Sequence, residues 1–273
     1  MTPSEKRVTS CGPGFVSRPD SDVNIRGLSE KLILFLLLLT GFSLRGNAQS
    51  PTIGNTIPVP SGYLRDTYLP DSYSHWIQNL QLKTQPVILD YRGQTVRSGL
   101  YRVWAVVRMP LLFQSDLEQC ADFAMRFWAE YHRAAGKLSR LYLLDYGGRM
   151  KSFAQSGKSF SQFLKWAFAN TNSHSLKSGC GQVAAGELMA GDMFIQNERG
   201  GVGHVSVVMD VCKSRAGATR LLVGYSFMPA QEFHIEKADD PYGIEGWFSP
   251  EGYTQYLKDH LNFGAPVLRR FIP

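Results

Sequence analysis

Long apolar runs, charge clusters and cysteine are all scarce in this chain. Past one stretch near the N-terminus, no segment approaches the ~20 consecutive apolar residues that a membrane-crossing helix needs. No run of five like charges occurs, so there is neither an acidic tail nor a basic arm of the kind that binds nucleic acid. Cysteine appears at 11, 120, 180 and 212 only, too sparsely for a disulfide scaffold in 273 residues. No P-loop, dinucleotide-binding glycine fingerprint or Gly-x-Ser-x-Gly elbow is present. His204, His234 and Asp210 could approach one another on adjacent strands, but His-x-His and His-x3-His spacings are missing. Neither a cofactor nor a metal is expected.

The N-terminal exception is Lys31-Leu-Ile-Leu-Phe-Leu-Leu-Leu-Leu-Thr40, continued through Leu44. It is too short to span a bilayer and fits the apolar core of a signal peptide, with Arg26 and Lys31 as its positive flank. Gly46-Asn-Ala48 supplies small residues where a signal peptidase reads, so cleavage is expected after Ala48. Residues 1–48 then form a signal region, 49–72 a Pro-, Gly- and Thr-rich extended lead-in, and 73–273 a single domain. The location implied is exported, periplasmic or extracellular, with no stable membrane span once the signal is removed. The chain carries a net charge of +6. Residues 1–48 hold six basic and four acidic residues, so removing them leaves a mildly basic protein. That balance suits an anionic cell surface and gives no case for nucleic acid. An oligomeric state is not specified. In an oxidising compartment one disulfide among the three remaining cysteines is plausible, with Cys180–Cys212 the natural pair and Cys120 left free.

The pattern predicts an α+β fold, an antiparallel sheet packed against two or more helices. Ser115-Asp-Leu-Glu118 reads as a capping box ahead of a helix carrying Leu117, Cys120, Ala121, Ala124, Phe127, Trp128 and Tyr131 at helical spacing. A second helix is expected from Ser159 to Asn170, and a third after Ser249-Pro250. Strands are expected at 87–91, 101–108 and 138–144. Met193–Ile195, His204–Asp210, Arg220–Tyr225 and Glu232–Ile235 read as an antiparallel meander.

Two residues in that frame could carry chemistry. Cys120 lies near a helix N-terminus, where free N–H groups favour a thiolate, although its alternation with Leu117 and Ala124 equally suits packing. His204 stands at the first position of a largely apolar strand, where a general base would be held by the sheet yet open at the strand end. A third residue to orient the imidazole would come from the neighbouring strand end, at Tyr225 or Ser226, or from Gln231 or Glu232.

Three stretches together carry a resemblance: 116–131, Gly191-Asp-Met-Phe-Ile195 with Gly203-His-Val-Ser-Val-Val-Met-Asp-Val211, and Tyr225-Ser-Phe-Met-Pro-Ala-Gln-Glu-Phe-His-Ile235. The chain resembles, from about Tyr73 to Phe271, a family of exported bacterial proteins known only as a domain of unknown function. More distantly, the Gly-Asp-Met-Phe-Ile … Gly-His-Val element is similar to the histidine strand of NlpC-type and CHAP-type cell-wall amidases. That likeness implies a papain-like arrangement, with Cys120 as nucleophile, His204 as base and Tyr225 at the third catalytic position. The substrate implied is a cell-wall peptide or glycopeptide. In those enzymes the cysteine opens its helix, whereas the Ser115 cap places Cys120 about five residues in. The alternative is a non-catalytic envelope binding or interaction module on the same fold.

The signal region yields a direct test. Mass spectrometry of the exported protein is expected to find an N-terminus at Gln49 or within a few residues of it; intact Met1 on cytosolic protein is the opposing result.

Overall fold

A computed structural model describes residues 50–99, 101–198 and 200–273. The expected signal region lies outside these residues. Ser50–Pro273 forms one compact unit. In chain order it contains helix α1 (Ile53–Thr56), strand β1 (Tyr63–Arg65), α2 (Tyr73–Gln78), β2 (Val103–Val106) and α3 (Cys120–Ala134). The hairpin β3 (Tyr142–Leu144) and β4 (Met150–Ser152) follows, then α4 (Phe160–Asn170), α5 (Ser173–Gly179) and β5 (Gly181–Gln182). The last part holds β6 (Met193–Gln196), β7 (His204–Ser214), β8 (Thr219–Tyr225), β9 (His234–Glu236), β10 (Gly243–Ile244), β11 (Trp247–Phe248), α6 (Pro250–His260) and β12 (Val267–Arg270). No helix among the described residues is long and apolar enough to cross a membrane.

The fold is α+β, and its sheet of ten strands runs β10-β11-β8-β7-β6-β12-β5, with β1 on β7 and β9 linking β2 to β8. All of these pairings are antiparallel. The predicted meander is its centre. β7 is buried from His204 to Cys212, so both faces of the strand are covered and period-2 alternation divides its side chains between two layers. Val205, Val207 and Met209 join the larger core with Phe123, Ala124 and Phe127 of α3. Val208 joins a second core with Phe194, Phe248, Tyr253 and Leu257, beneath α6.

α4 and α6 begin where their serine caps place them. Ser159 accepts from the Gln162 amide, and Ser249 accepts from the Gly252 amide with Pro250 at the first helical position. The 138–144 segment is only partly a strand, because Leu138–Arg140 forms a 3-10 turn before β3. The 87–91 segment makes isolated bridges rather than a strand, at Leu89 with Thr95 and Asp90 with Gln231.

The 50–72 segment is not a detached lead-in. Thr52 caps α1, Ile53 and Ile57 are buried, and β1 pairs Tyr63–Arg65 with Ser214–Cys212 of β7. Arg65 fixes this arrangement. Its Nε lies 2.7 Å from Asp210, while its terminal nitrogens donate to the Gly54 and Ile57 carbonyls. Gln78 of α2 donates to the other Asp210 oxygen at 2.7 Å. Apolar residues scattered among turn formers, and one buried carboxylate to answer, turn a loop-like sequence into part of the domain.

Nor is there a disulfide among the described residues: Cys120, Cys180 and Cys212 are all free and buried. Cys212 lies on β7 opposite Arg65 and Arg220, whereas Cys180 ends α5 just ahead of β5, three strands along the sheet from β7. Flanking the same strands in sequence does not bring them together in space.

Phe127 anchors α3 to the sheet. It is fully buried, with its ring 4.8 Å from Phe233 and 5.8 Å from Phe123 between centroids. Phe127→Ala is expected to cost ~3–5 kcal/mol by leaving a core cavity, read as a lowered urea midpoint with little change in slope.

Candidate functional site

The helix that carries Cys120 starts later than the Ser115 capping box implies. Glu118 does not reach back to Ser115. Its carboxylate is buried, pairs with Arg126 and accepts the Leu112 amide at 2.7 Å. Gln119 is extended instead, and Asp122 accepts its backbone N–H at 2.9 Å, the reach-back that a third helical residue makes in a capping box. Cys120 is therefore the first residue of α3. The buried Glu118–Arg126 pair competes for the carboxylate, and nothing in the local sequence reveals it.

Cys120 lines an open cleft of about 620 Å³ together with Gln119, Asp122, Asn172, Ser173, Gly203 and Met228. Gly203 closes one side because a side chain there would collide with the Gln196 carbonyl and the Ser173 hydroxyl. Burial pushes the Cys120 thiol up to about 11, outweighing the Val205 amide N–H and the free amides at the start of α3 that favour the thiolate. The resting thiol is protonated at neutral pH. Asp122 is also buried, and one of its carboxylate oxygens has no partner. Burial first, then the nearby Glu118 charge, hold its pKa well above the usual carboxylate range.

His204 lies in the other layer of the sheet. Gln196, directly across from it on β6, donates to the carbonyls of Leu257, Leu261 and Gly264 at the C-terminal end of α6. Ser206, two residues along β7, accepts from Tyr253 of α6 at 2.6 Å. By alternation His204 shares that face, whereas Val205 meets the α3 core. Its ring packs 5.1 Å from Tyr225 and 5.5 Å from Phe227, it is fully buried, and neither ring nitrogen has a hydrogen-bond partner. Burial, with His234 nearby, lowers its pKa to about 3. The structure thus brings His204 and Tyr225 together and sets Cys120 against the backbone of Val205. It makes no thiol–imidazole hydrogen bond.

Tyr225 belongs to a polar cluster that the sequence reading did not assemble. Its hydroxyl donates to Glu236 at 3.0 Å, and His234 Nε2 reaches the same carboxylate oxygen at 3.1 Å. The other Glu236 oxygen accepts the Arg102 amide at 2.6 Å. The Tyr101 ring lies 4.8 Å from His234, tilted by 39°, and its hydroxyl accepts from Gln231 at 3.1 Å. Burial and the Glu236 charge raise the Tyr225 phenol well above its ordinary value. The available signal was the two-residue spacing of His234 and Glu236, which puts both on one face of β9. Asp210, which lies on the same strand as His204, is committed elsewhere, to Arg65 and Gln78. Among the described residues no group of His, Cys, Asp and Glu could hold a metal ion.

The sequence profile of a family described as a domain of unknown function (4846) matches residues 53–155 and 146–270. The chain belongs to that family. No curated protein and no solved structure matches it. The family spans both layers of the sheet, from α1 through β12, so Cys120, His204 and the Glu236 cluster all fall within it.

A buried neutral histidine makes folding sensitive to acid. With a folded pKa near 3 and an unfolded value near 6.5, His204 takes up a proton on unfolding throughout that window. Its contribution is fully present above pH 6.5 and is lost as pH falls toward 3, by up to about 1.4 kcal/mol per pH unit. In urea unfolding at pH 7, 6 and 5, wild type is expected to lose stability relative to His204→Phe; parallel curves for the two proteins would remove His204 as the cause.

Proposed function

We propose that this chain is a non-catalytic binding or interaction module of the bacterial envelope, built on an α+β fold of papain-like ancestry. One observation carries the reading: Cys120 and His204 belong to opposite layers of the sheet and make no hydrogen bond to each other. A cysteine hydrolase needs an imidazole in contact with its nucleophile, either to take the thiol proton or to stabilise the thiolate. Here the thiol is held protonated and the imidazole neutral, each mainly by its own burial. Export, expected from the N-terminal apolar run, would place the module at the cell surface.

A second reading has its own support. Cys120 opens α3 and faces an open cleft, the placement of the nucleophile in the cell-wall amidases that the Gly-His-Val strand resembles. In such an enzyme the amides at the start of α3 would hold the oxyanion, and water would release the acyl group.

One experiment separates the two. Incubated with peptidoglycan fragments and followed by mass spectrometry, wild type and Cys120→Ala are expected to leave the peptides equally intact. Iodoacetamide labelling of Cys120 is expected to rise with pH well above 8 and to be indifferent to His204→Ala. Cleavage that depends on both Cys120 and His204 would establish the hydrolase instead.

A further inference from the structure

The positive charge of the chain is not spread evenly. Residues 133–165 contain seven Lys or Arg and one acidic residue, Asp145, a surplus equal to the net +6 of the whole chain. This segment runs from the end of α3 through the β3–β4 hairpin into α4. Asp145 is engaged by Arg149 at 2.9 Å and Lys151 at 3.4 Å, and Arg133 pairs with Glu130 at 2.6 Å, which leaves Lys137, Arg140, Lys158 and Lys165 without a carboxylate partner among the described residues.

Between β4 and α4 the same segment forms a groove of about 390 Å³. Lys151 and Lys158 line it with Ser152, Gln155, Ser156 and Trp166, and no acidic side chain does. Trp166 is half-buried and stacked at 21° on the fully buried Phe163, 5.7 Å away, so its ring is held rather than free to turn. Lys158 is exposed and has no carboxylate partner, while Ser156 receives its backbone amide at 3.2 Å and so shapes the turn.

We propose that this groove binds an acidic glycan. A fixed indole face at a groove wall suits the C–H face of a sugar ring, and short hydroxyl and amide side chains suit its hydroxyls. Lys158, which has no carboxylate partner among the described residues, together with Lys151, whose Asp145 partner is shared with Arg149 and lies outside the groove lining, selects for carboxylates on the sugar. The volume fits a small-ligand pocket rather than a broad protein interface. The inference rests on the binding-module reading and names the class of ligand. It uses a surface remote in sequence from both Cys120 and His204.

The test is titration of the purified exported form with a uronic-acid oligosaccharide, followed by tryptophan fluorescence and calorimetry. A neutral oligosaccharide of equal length, anionic lipid vesicles and single-stranded DNA serve as parallel arms. Binding of the acidic sugar is expected to exceed that of the neutral one by roughly tenfold and to weaken with salt. Lys158→Glu, at an exposed position, is expected to cost about tenfold in affinity with an unchanged melting temperature, and Trp166→Ala to lose the fluorescence response. Equal binding of neutral and acidic sugars, preference for vesicles or DNA, or Lys158→Glu binding like wild type would overturn the proposal. Cys120-dependent peptide cleavage would overturn the module reading while leaving this groove standing. Capture of uncharged envelope peptides with no glycan binding would do the reverse.

Discussion

Everything in this domain is arranged around a strand whose two faces are both inside the protein. β7 is buried along nine consecutive residues, and a strand cannot choose which of its side chains go where: neighbours must point apart. One face is claimed by α3 and its aromatic residues, the other by α6 and its tyrosines. Any chemistry requiring a residue of α3 to meet a residue of β7 must therefore use Val205, Val207 or Met209. His204 is one position out of phase. A shift of a single residue in register would exchange the two sets, but the β6 pairing of Gln196 with His204 and the α6 carbonyls that hold Gln196 fix the register.

Polar groups inside the sheet follow the same division. On the α6 side Tyr225 and His234 Nε2 both answer the Glu236 carboxylate, leaving His234 Nδ1 unpaired, and Ser206 accepts from Tyr253. His204 alone enters that layer with two unanswered nitrogens. An unpaired buried polar group costs on the order of 1–3 kcal/mol, so the aromatic packing of Tyr225 and Phe227 around the ring has to offset that cost. On the α3 side the comparable oddity is Asp122, half-satisfied by the Gln119 amide and adjacent to the thiol.

Much of the fold was legible because its signals are local. Ser159 and Ser249 cap their helices, and the alternation of Val205 through Asp210 marks a strand buried on both sides. The start of α3 was misread because the decisive partner, Arg126, lies eight residues downstream and pulls Glu118 away from Ser115. The 50–72 segment was misread for the same reason at longer range: Arg65 needs Asp210, and the sequence around Arg65 says nothing of it. For the candidate site, the identities of Cys120, His204 and Tyr225 were readable but their sides of the sheet were not. Strand parity becomes meaningful only once it is known which helix covers which face, and that depends on the whole topology.

The Arg65–Asp210 contact also sets where the domain can be cut. Asp210 is fully buried at the point where β7 slips register against β8; the Val211 amide donates to it at 2.9 Å, and its side-chain partners, Arg65 and Gln78, both come from the 50–78 region. A fragment starting at residue 73 would retain Gln78 but lose Arg65 and β1, leaving a buried carboxylate without its cation beside an open sheet edge. The smallest self-sufficient piece of this protein therefore begins ahead of β1, and a protease that cuts between β1 and α2 would sever the strand that carries the counter-ion from the rest of the sheet.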